Sequence, residues 1–204
     1  MLRELTPREG RKIYKYCAPL DFPRSELKPV HIVYRLLKRG DYHAYVYQVP
    51  TEGTPQGEIR AYAFMLECEH GALLDYFAVL SPHKGAGNGS AAIKELAEKV
   101  NGHLVLEVER VELAADEQDA AMRRRRIDFY IKNGGHLTDI CTEIFTIPFR
   151  MMYFGEKLGT EEVKEKTEKL YIQMFGERIA KKYSRIFEDP AELIKIRLCE
   201  VVFF

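Results

Sequence analysis

The feature that most constrains the fold is an apolar run followed by a basic, glycine-rich loop and an amphipathic segment, all within residues 77–100. The apolar run predicts a strand that ends at Leu80. The segment after the loop carries its apolar residues at helical spacing, namely Ile93, Leu96, Ala97 and Val100. On the charged face of this helix, Glu95 and Lys99 are spaced to form a surface pair. Because a helix N-terminus after a glycine loop presents free backbone N–H groups, we expect this stretch to bind a phosphorylated ligand.

The glycines of this loop stand at alternate positions, Gly85, Gly87 and Gly89. Glycine lets the main chain turn tightly and approach a ligand without a Cβ atom in the way. A P-loop needs its second glycine where Ser90 stands, and a Lys-Ser/Thr pair after it, which the sequence lacks. A dinucleotide-binding turn also needs a glycine at Ser90. A plain turn, whose glycines serve only helix–sheet packing, remains an alternative.

The segment Lys84-Gly85-Ala86-Gly87-Asn88-Gly89 resembles the acyl-CoA pyrophosphate signature of the GNAT superfamily of N-acyltransferases, Gln/Arg-x-x-Gly-x-Gly/Ala. Lysine in the first position keeps the positive charge but lacks the planar fork of arginine. Three further segments resemble that family in order and spacing: residues 74–79 its fourth strand, 104–109 its fifth strand, and 126–134 its fourth helix and the turn after it.

The resemblance implies a mixed α/β (α+β) fold, with a mostly antiparallel central sheet flanked by helices. It covers residues 1–154, so we expect a GNAT-like acetyltransferase domain there. Residues 155–204 are predicted to form a C-terminal helix–strand extension packed on the same domain. In that extension, Val163, Thr167, Leu170, Tyr171 and Met174 form a helical stripe, and residues 194–198 alternate as in a strand. A dimer contact or a lid over the acceptor site are the alternatives for it.

Local signals predict most of the other elements. Thr6-Pro7-Arg8-Glu9 marks a helix start, and that helix is expected to end near Cys17. A second helix is expected over residues 29–38, ended by Gly40. The remaining expected elements are strands around Tyr45–Tyr47, 59–66, 72–80, 104–109, 136–140 and 144–153, a turn over 50–57, and a helix over 116–133 capped by Gly134.

Composition excludes several classes of function. The 31 basic and 31 acidic residues cancel, so no field of one sign favours nucleic acid or a membrane surface. The N-terminal residues lack the apolar core of a signal peptide, and no apolar run approaches membrane length. The four cysteines are scattered, which favours free thiols in a cytoplasmic protein over disulfides or a metal site.

The resemblance assigns the cofactor, acetyl-CoA, to two stretches of backbone. The N–H groups from Gly85 to Ser90 would bind the pyrophosphate, with Lys84 as a point charge. The strand residues Phe77, Ala78 and Val79 would hold the pantetheine arm, and the Val79 N–H would polarise the thioester carbonyl. The cofactor-binding set is therefore Phe77, Ala78, Val79, Lys84, Gly85, Ala86, Gly87, Asn88, Gly89 and Ser90.

The proton donor and acceptor are assigned to side chains. The family's acid is the tyrosine of the fourth helix, which corresponds to Tyr130, with a core aromatic as the alternative. Glu107 is the favoured base, acting directly or through water, and Glu109 and Asp75 are the other candidates. A solvated or salt-bridged carboxylate is the alternative for all three.

Two departures from the family pattern accompany these assignments. Arg123 and Arg126 stand where family members carry Asn and Ala, and we expect one of them to lie near the cofactor or to pack on carboxylates. Gly135 replaces an aromatic residue, which predicts a looser start of the next strand.

These observations predict an acetyltransferase that moves an acetyl group from acetyl-CoA to an amine by direct attack. A non-catalytic acyl-CoA sensor and a nucleotide-binding protein are the rival hypotheses. The expected partner is an amine-bearing acceptor, with small amines, amino acids, antibiotics and protein amino groups as the candidates, and a homodimer is a further alternative.

Overall fold

The first helix begins where the capping motif predicts. In the computed structural model, which describes residues 1–51, 53–101 and 103–189, helix α1 spans Pro7–Asp21. The Thr6 hydroxyl accepts the Glu9 N–H, and the Glu9 carboxylate accepts the Thr6 N–H at 2.9 Å. The helix continues past the expected end at Cys17 and contains Pro19. Its last turn is closed by a hydrogen bond from the Phe22 N–H to the Ala18 carbonyl at 3.0 Å.

The described chain divides into two compact units after residue 101. The first contains α1, helix α2 (Val30–Arg39), strands β1 (Leu2–Glu4), β2 (Tyr42–Thr51), β3 (Thr54–Cys68) and β4 (Gly71–Val79), and helix α3 (Asn88–Lys99). The strands lie in the order β1-β2-β3-β4, each antiparallel to its neighbour. As predicted, α2 ends at Gly40, whose φ of 97° lies in the left-handed region.

The first hairpin is longer than predicted. We expected a turn over residues 50–57, but β2 continues to Thr51 and β3 resumes at Thr54, which pair with each other. Pro50 falls in a register shift between Val49 and Thr51, where a residue without an N–H group can be accommodated. Strand β1 was also missed, since three residues are too few to show an alternation.

Helix α3 follows the glycine loop as predicted, but its charged face differs. The helix ends at Lys99, so Val100 lies outside it, and the buried face includes Ala92. The expected pair of Glu95 with Lys99 does not form. Glu95 accepts the backbone N–H of Leu2 at 2.6 Å, while the Lys99 ammonium lies 3.3 Å from the Glu67 carboxylate. Tertiary partners therefore replace the local pair.

The second unit contains strands β5 (Leu104–Glu109), β6 (Gly135–Ile144), β7 (Ile147–Phe154) and β8 (Ser184–Glu188), and helices α4 (Glu117–Lys132), α5 (Thr160–Phe175) and α6 (Glu177–Tyr183). The strand order is β5-β7-β6-β8, and all pairs are antiparallel. The Asp116 carboxylate caps α4 by accepting the Asp119 N–H at 2.8 Å, and Gly134 follows the helix at φ 94°. With antiparallel strands and flanking helices in both units, the predicted fold class is confirmed.

The last strands have different limits from those predicted. We expected β6 to end at Ile140 and β7 to begin at Ile144, but β6 runs to Ile144 and β7 starts at Ile147. The turn is Phe145-Thr146, with φ of 48° and 73°. Both values are unusual for residues other than glycine, asparagine and aspartate, so the sequence carries no signal for this turn.

The C-terminal stripe is confirmed, since Val163, Thr167, Leu170, Tyr171 and Met174 are the buried residues of α5. The expected strand over residues 194–198 lies outside the described residues. An earlier strand, β8, instead pairs with β6. None of the helices in the described ranges combines the length and apolarity that a bilayer crossing requires.

Candidate functional site

The glycine loop presents a run of backbone donors. Gly85 and Gly87 have φ of 83° and 78°, and a Cβ atom at either position would meet nothing within 4 Å. Within the described chain, no backbone N–H between Lys84 and Ser90 donates to another protein group, and the first to do so is that of Ala91, to Gly87 at 3.0 Å. The conformation, rather than packing, therefore requires glycine at these two positions. Such an array of donors fits an anion.

The loop is fixed from both sides. His83 lies in the 3-10 turn before it, with its Nε2 atom 3.1 Å from Glu58 and its ring also contacted by Arg60 of β3. The Asn88 amide donates to the His83 carbonyl at 3.1 Å. These anchors were not predicted, because Glu58 and Arg60 lie far from the loop in sequence. They hold the backbone donors in one arrangement.

Lys84 points largely into solvent. Its ammonium lies 3.8 Å from the Asp21 carboxylate at the end of α1, and 61% of its side chain is exposed. A pair at that distance with a mostly exposed ammonium contributes little to stability. The lysine is therefore free to exchange Asp21 for a bound anion at small cost.

The C-terminal end of β4 offers backbone groups in the expected register. The Leu80 N–H donates to the Arg60 carbonyl at 2.8 Å, and Val79 stands opposite Ala61. Since hydrogen-bonded and non-bonded pairs alternate along an antiparallel ladder, the N–H groups of Val79 and Phe77 point away from β3, and that of Ala78 points toward it. The outward donors of β4, meaning those on the side opposite β3, are therefore the N–H groups of Val79 and Phe77.

Tyr130 lies near the end of α4, where 7% of its surface is exposed. Its ring packs edge to face on Phe129 and Phe154, at centroid distances of 5.1 and 6.3 Å. Burial raises the pKa of Tyr130 to about 12, with Arg126 opposing and Glu109 reinforcing that shift. The hydroxyl therefore stays protonated at neutral pH, as a proton donor must.

Asp75, one of the three carboxylates considered as base, is held by structural partners. It accepts from the Lys28 ammonium at 2.6 Å and from the Tyr42 hydroxyl at 2.5 Å. Nearby, the Tyr76 hydroxyl accepts the Lys28 N–H at 3.2 Å and donates to the Glu26 carbonyl at 2.8 Å. This network ties the connection between α1 and α2 to β4. Asp75 therefore matches the alternative of a salt-bridged carboxylate rather than the role of a base.

The two carboxylates on β5 have different partners. Glu109 accepts from the guanidinium of Arg126 on α4. Glu107 accepts from the neutral hydroxyl of Tyr171 on α5. Protonation of Glu109 would break its ion pair with Arg126, which makes Glu109 a weaker candidate for the proton acceptor.

The arginines of α4 pack on carboxylates, one of the two expected outcomes. Besides the contact of Arg126 with Glu109, Arg123 lies 2.8 Å from Asp119 and donates to the Arg110 carbonyl at 2.6 Å. These partners hold Arg123 and Arg126 beside the C-terminal end of β5.

The expectation of a looser strand start at Gly135 is wrong. Gly135 is buried, and a Cβ atom there would lie 3.0 Å from the Tyr130 carbonyl oxygen and 3.3 Å from the Phe154 ring. The missing aromatic is thus replaced by close backbone contact rather than by open space.

Solved structures resemble this chain over most of its length. A protein from Bacteroides thetaiotaomicron assigned to the GNAT family of acetyltransferases covers 86% of this chain and 98% of its own, at 19% identity and a TM-score of 0.68. NAA60 of Arabidopsis thaliana in complex with acetyl-CoA covers 76% and 97%, at 13% identity and a TM-score of 0.53. An aminoglycoside 6'-N-acetyltransferase complexed with coenzyme A covers 78% and 99%, at 12% identity and a TM-score of 0.51.

No family model and no curated protein matches the sequence. At these identities the structural likeness establishes the fold. The chain therefore has the GNAT fold, as residues 74–134 predicted.

Proposed function

We propose that this protein is an acyl-CoA-dependent N-acetyltransferase that uses acetyl-CoA as its acetyl donor. The observation that carries the proposal is the run of N–H groups from Lys84 to Ser90, at the N-terminus of α3 and without partners in the described chain. Gly85 and Gly87 leave the space above them open. An array of this kind suits the pyrophosphate of coenzyme A, and the helix dipole adds about 0.3–1 kcal/mol for an exposed anion.

The outward donors of β4 supply the second part of the proposal. The Phe77 N–H would hold an amide of the pantetheine arm in the manner of an added strand. The Val79 N–H would donate to the thioester carbonyl oxygen, on which negative charge develops during attack. A backbone donor held in a strand is already oriented and needs no reorganisation at that moment.

The proton transfers are assigned to Tyr130 and Glu107. The acceptor amine loses a proton to the Glu107 carboxylate, directly or through water, and its nitrogen bonds to the acetyl carbon. The carbon–sulfur bond breaks, and the Tyr130 hydroxyl donates its proton to the departing thiolate. Solvent then protonates the Tyr130 oxygen and takes the proton from Glu107, which restores both groups. A hydroxyl that stays protonated across the neutral range suits a proton donor, and a carboxylate on β5 suits a proton acceptor. An enzyme of direct transfer needs no cysteine nucleophile.

A reducing compartment fits the described cysteines. Cys17, Cys68 and Cys141 are free, and burial raises the pKa of the Cys141 thiol. Unpaired thiols are the usual state in the cytoplasm, where we place the protein. No set of three or more His, Cys, Asp or Glu side chains in the described ranges is arranged for a metal, and the proposed reaction uses none.

The first experiment is a calorimetric titration of the purified, CoA-free protein with acetyl-CoA, with ATP and NAD as controls. Selective binding of acetyl-CoA is expected. A screen of small amines, amino acids, aminoglycosides and peptide N-termini for thiol release then follows. Binding without thiol release on any amine would favour the sensor, and preference for ATP or NAD would overturn the loop assignment.

A further inference from the structure

A side chain of the C-terminal segment contacts the proposed base. Tyr171 on α5 donates its hydroxyl hydrogen bond to Glu107 on β5, across 64 positions of sequence. Tyr171 is fully buried, so this hydroxyl is held away from solvent. The sequence places Tyr171 only in an apolar stripe, which gives no reason to connect it with the chemistry.

The surroundings hold the Tyr171 hydroxyl in place. Met151 stands opposite Glu107 in the β5–β7 register, and its sulfur lies 3.7 Å from the Tyr171 oxygen. The same sulfur lies 3.8 Å from the Thr142 hydroxyl, and Met151 and Thr142 are both fully buried. A thioether is a weak acceptor, so the carboxylate is the stronger partner of the phenol.

The ring of Tyr171 is fixed by the helix that carries it. Its neighbours Leu170 and Thr167 are fully buried, and the ring also contacts Phe175 at 6.1 Å between centroids. A ring that is restrained by these contacts holds its hydroxyl in one position. In that position the hydroxyl contacts the Oε1 atom of Glu107.

We propose that Tyr171 is a positioning residue for Glu107, so that α5, which lies beyond the segments resembling the GNAT family, is part of the catalytic apparatus. The inference rests on the proposed function, in which Glu107 is the base. The hydroxyl fixes the Oε1 atom of Glu107 and with it the orientation of the carboxylate. It also stabilises the ionised carboxylate, which must be unprotonated before it can accept a proton.

The test replaces Tyr171 by phenylalanine, which keeps the ring and removes the donor. We expect kcat to fall about tenfold or more, because the variant loses one hydrogen bond to a charged group. The acidic limb of the kcat/KM profile should move up by about one pH unit, because the carboxylate without its donor holds a proton more readily. Binding of acetyl-CoA, measured by calorimetry, should not change. An unchanged kcat and profile would overturn the proposal.

The matched control is Thr167→Val on the same helix. It also removes a fully buried hydroxyl, but that hydroxyl donates to the Val163 carbonyl of its own helix at 2.7 Å. Its pH profile should match that of the parent protein. A shift as large as that of Tyr171→Phe would show that loosening α5 is sufficient, and would overturn the specific role of Tyr171.

A second readout does not depend on activity. The carboxyl carbon of Glu107, labelled with ¹³C and assigned with Glu107→Gln, is followed by NMR against pH. We expect it to titrate at higher pH in Tyr171→Phe and at lower pH when fluorotyrosine, a stronger donor, occupies position 171. Fluorotyrosine keeps the hydroxyl and the shape, so it serves even if the phenylalanine variant does not fold.

The two readouts separate the two hypotheses. A parent protein without thiol release on any amine, in which Glu107 still responds to Tyr171, would refute the proposed function alone. Active enzyme in which neither variant moves the Glu107 titration would refute the role of Tyr171 alone.

Discussion

Gly135 lies directly against the main chain of Tyr130. A Cβ atom at position 135 would lie 3.0 Å from the Tyr130 carbonyl oxygen and 3.2 Å from its carbonyl carbon. Such contacts are tighter than nine in ten real Cβ contacts, and main-chain atoms cannot rotate away as a flexible side chain can. The glycine thus sets the position of the proposed acid by backbone contact.

We predict that Gly135→Ala lowers both stability and turnover. The added methyl group pushes on Tyr130, and overpacking of this kind costs about 1–3 kcal/mol. Urea unfolding and thiol-release assays measure the two effects. Gly134→Ala is the control: its φ of 94° also strains an alanine, but nothing lies within 4 Å of the added atom. The prediction fails if both variants have the same kcat.

Tyr130→Phe should lower kcat by about 10²–10⁴-fold, the usual contribution of a general acid. The ring contacts with Phe129 and Phe154 remain, so the fold and acetyl-CoA affinity should be kept. Calorimetry measures the affinity for acetyl-CoA, and a thiol-release assay measures kcat. Tyr16→Phe, at a tyrosine 64% exposed, is the neutral comparison. Unchanged turnover would remove Tyr130 from the mechanism.

The Tyr130 hydroxyl should ionise at a higher pH than an ordinary tyrosine. Its pKa is raised from 10.0 to about 12, chiefly by burial, so the folded protein binds this proton more tightly than the unfolded chain. The stabilisation is fully present below pH 10 and is lost as the pH rises toward 12. Subtracting the absorbance titration of Tyr130→Phe from that of the parent protein isolates this group. A difference curve with its midpoint near 10 would contradict the burial argument.

Gly87→Glu should abolish acetyl-CoA binding. The new carboxylate would stand among the N–H donors and repel the pyrophosphate, and φ at this position is 78°. Gly40→Glu is the matched control, because Gly40 has φ 97° and the same open space within the same unit. Calorimetry on both variants separates backbone strain from loss of the anion site. Retained affinity in Gly87→Glu would refute the loop assignment.

Local signals in the sequence predicted those elements that local chemistry determines. The capping box at Thr6, the C-terminal Gly40 and the glycine loop each satisfy or expose backbone groups within a few residues, so a short window contains the information. The stripe of α5 was likewise visible, since burial follows helical spacing.

What the sequence could not show depends on distant partners. Strand β8 is defined by its pairing with β6, and Glu95 is satisfied by Leu2 rather than by Lys99. In the candidate site, the residues around Glu107 in the sequence give no sign of its contact with Tyr171. Those around Glu109 give no sign of its contact with Arg126. The candidate carboxylates could be picked out in the sequence, but their partners required the folded chain.

The Tyr76 network bears on how the α1–α2 connection moves with time. This connection contains no α-helix or strand, yet the Lys28 amide is held by Tyr76, and the Lys28 carbonyl accepts the Tyr14 hydroxyl at 2.9 Å. Its amide protons should therefore exchange with solvent as slowly as those of a regular element, opening only when α1 and β4 separate. In hydrogen exchange, this connection should thus behave as part of the core rather than as a surface loop.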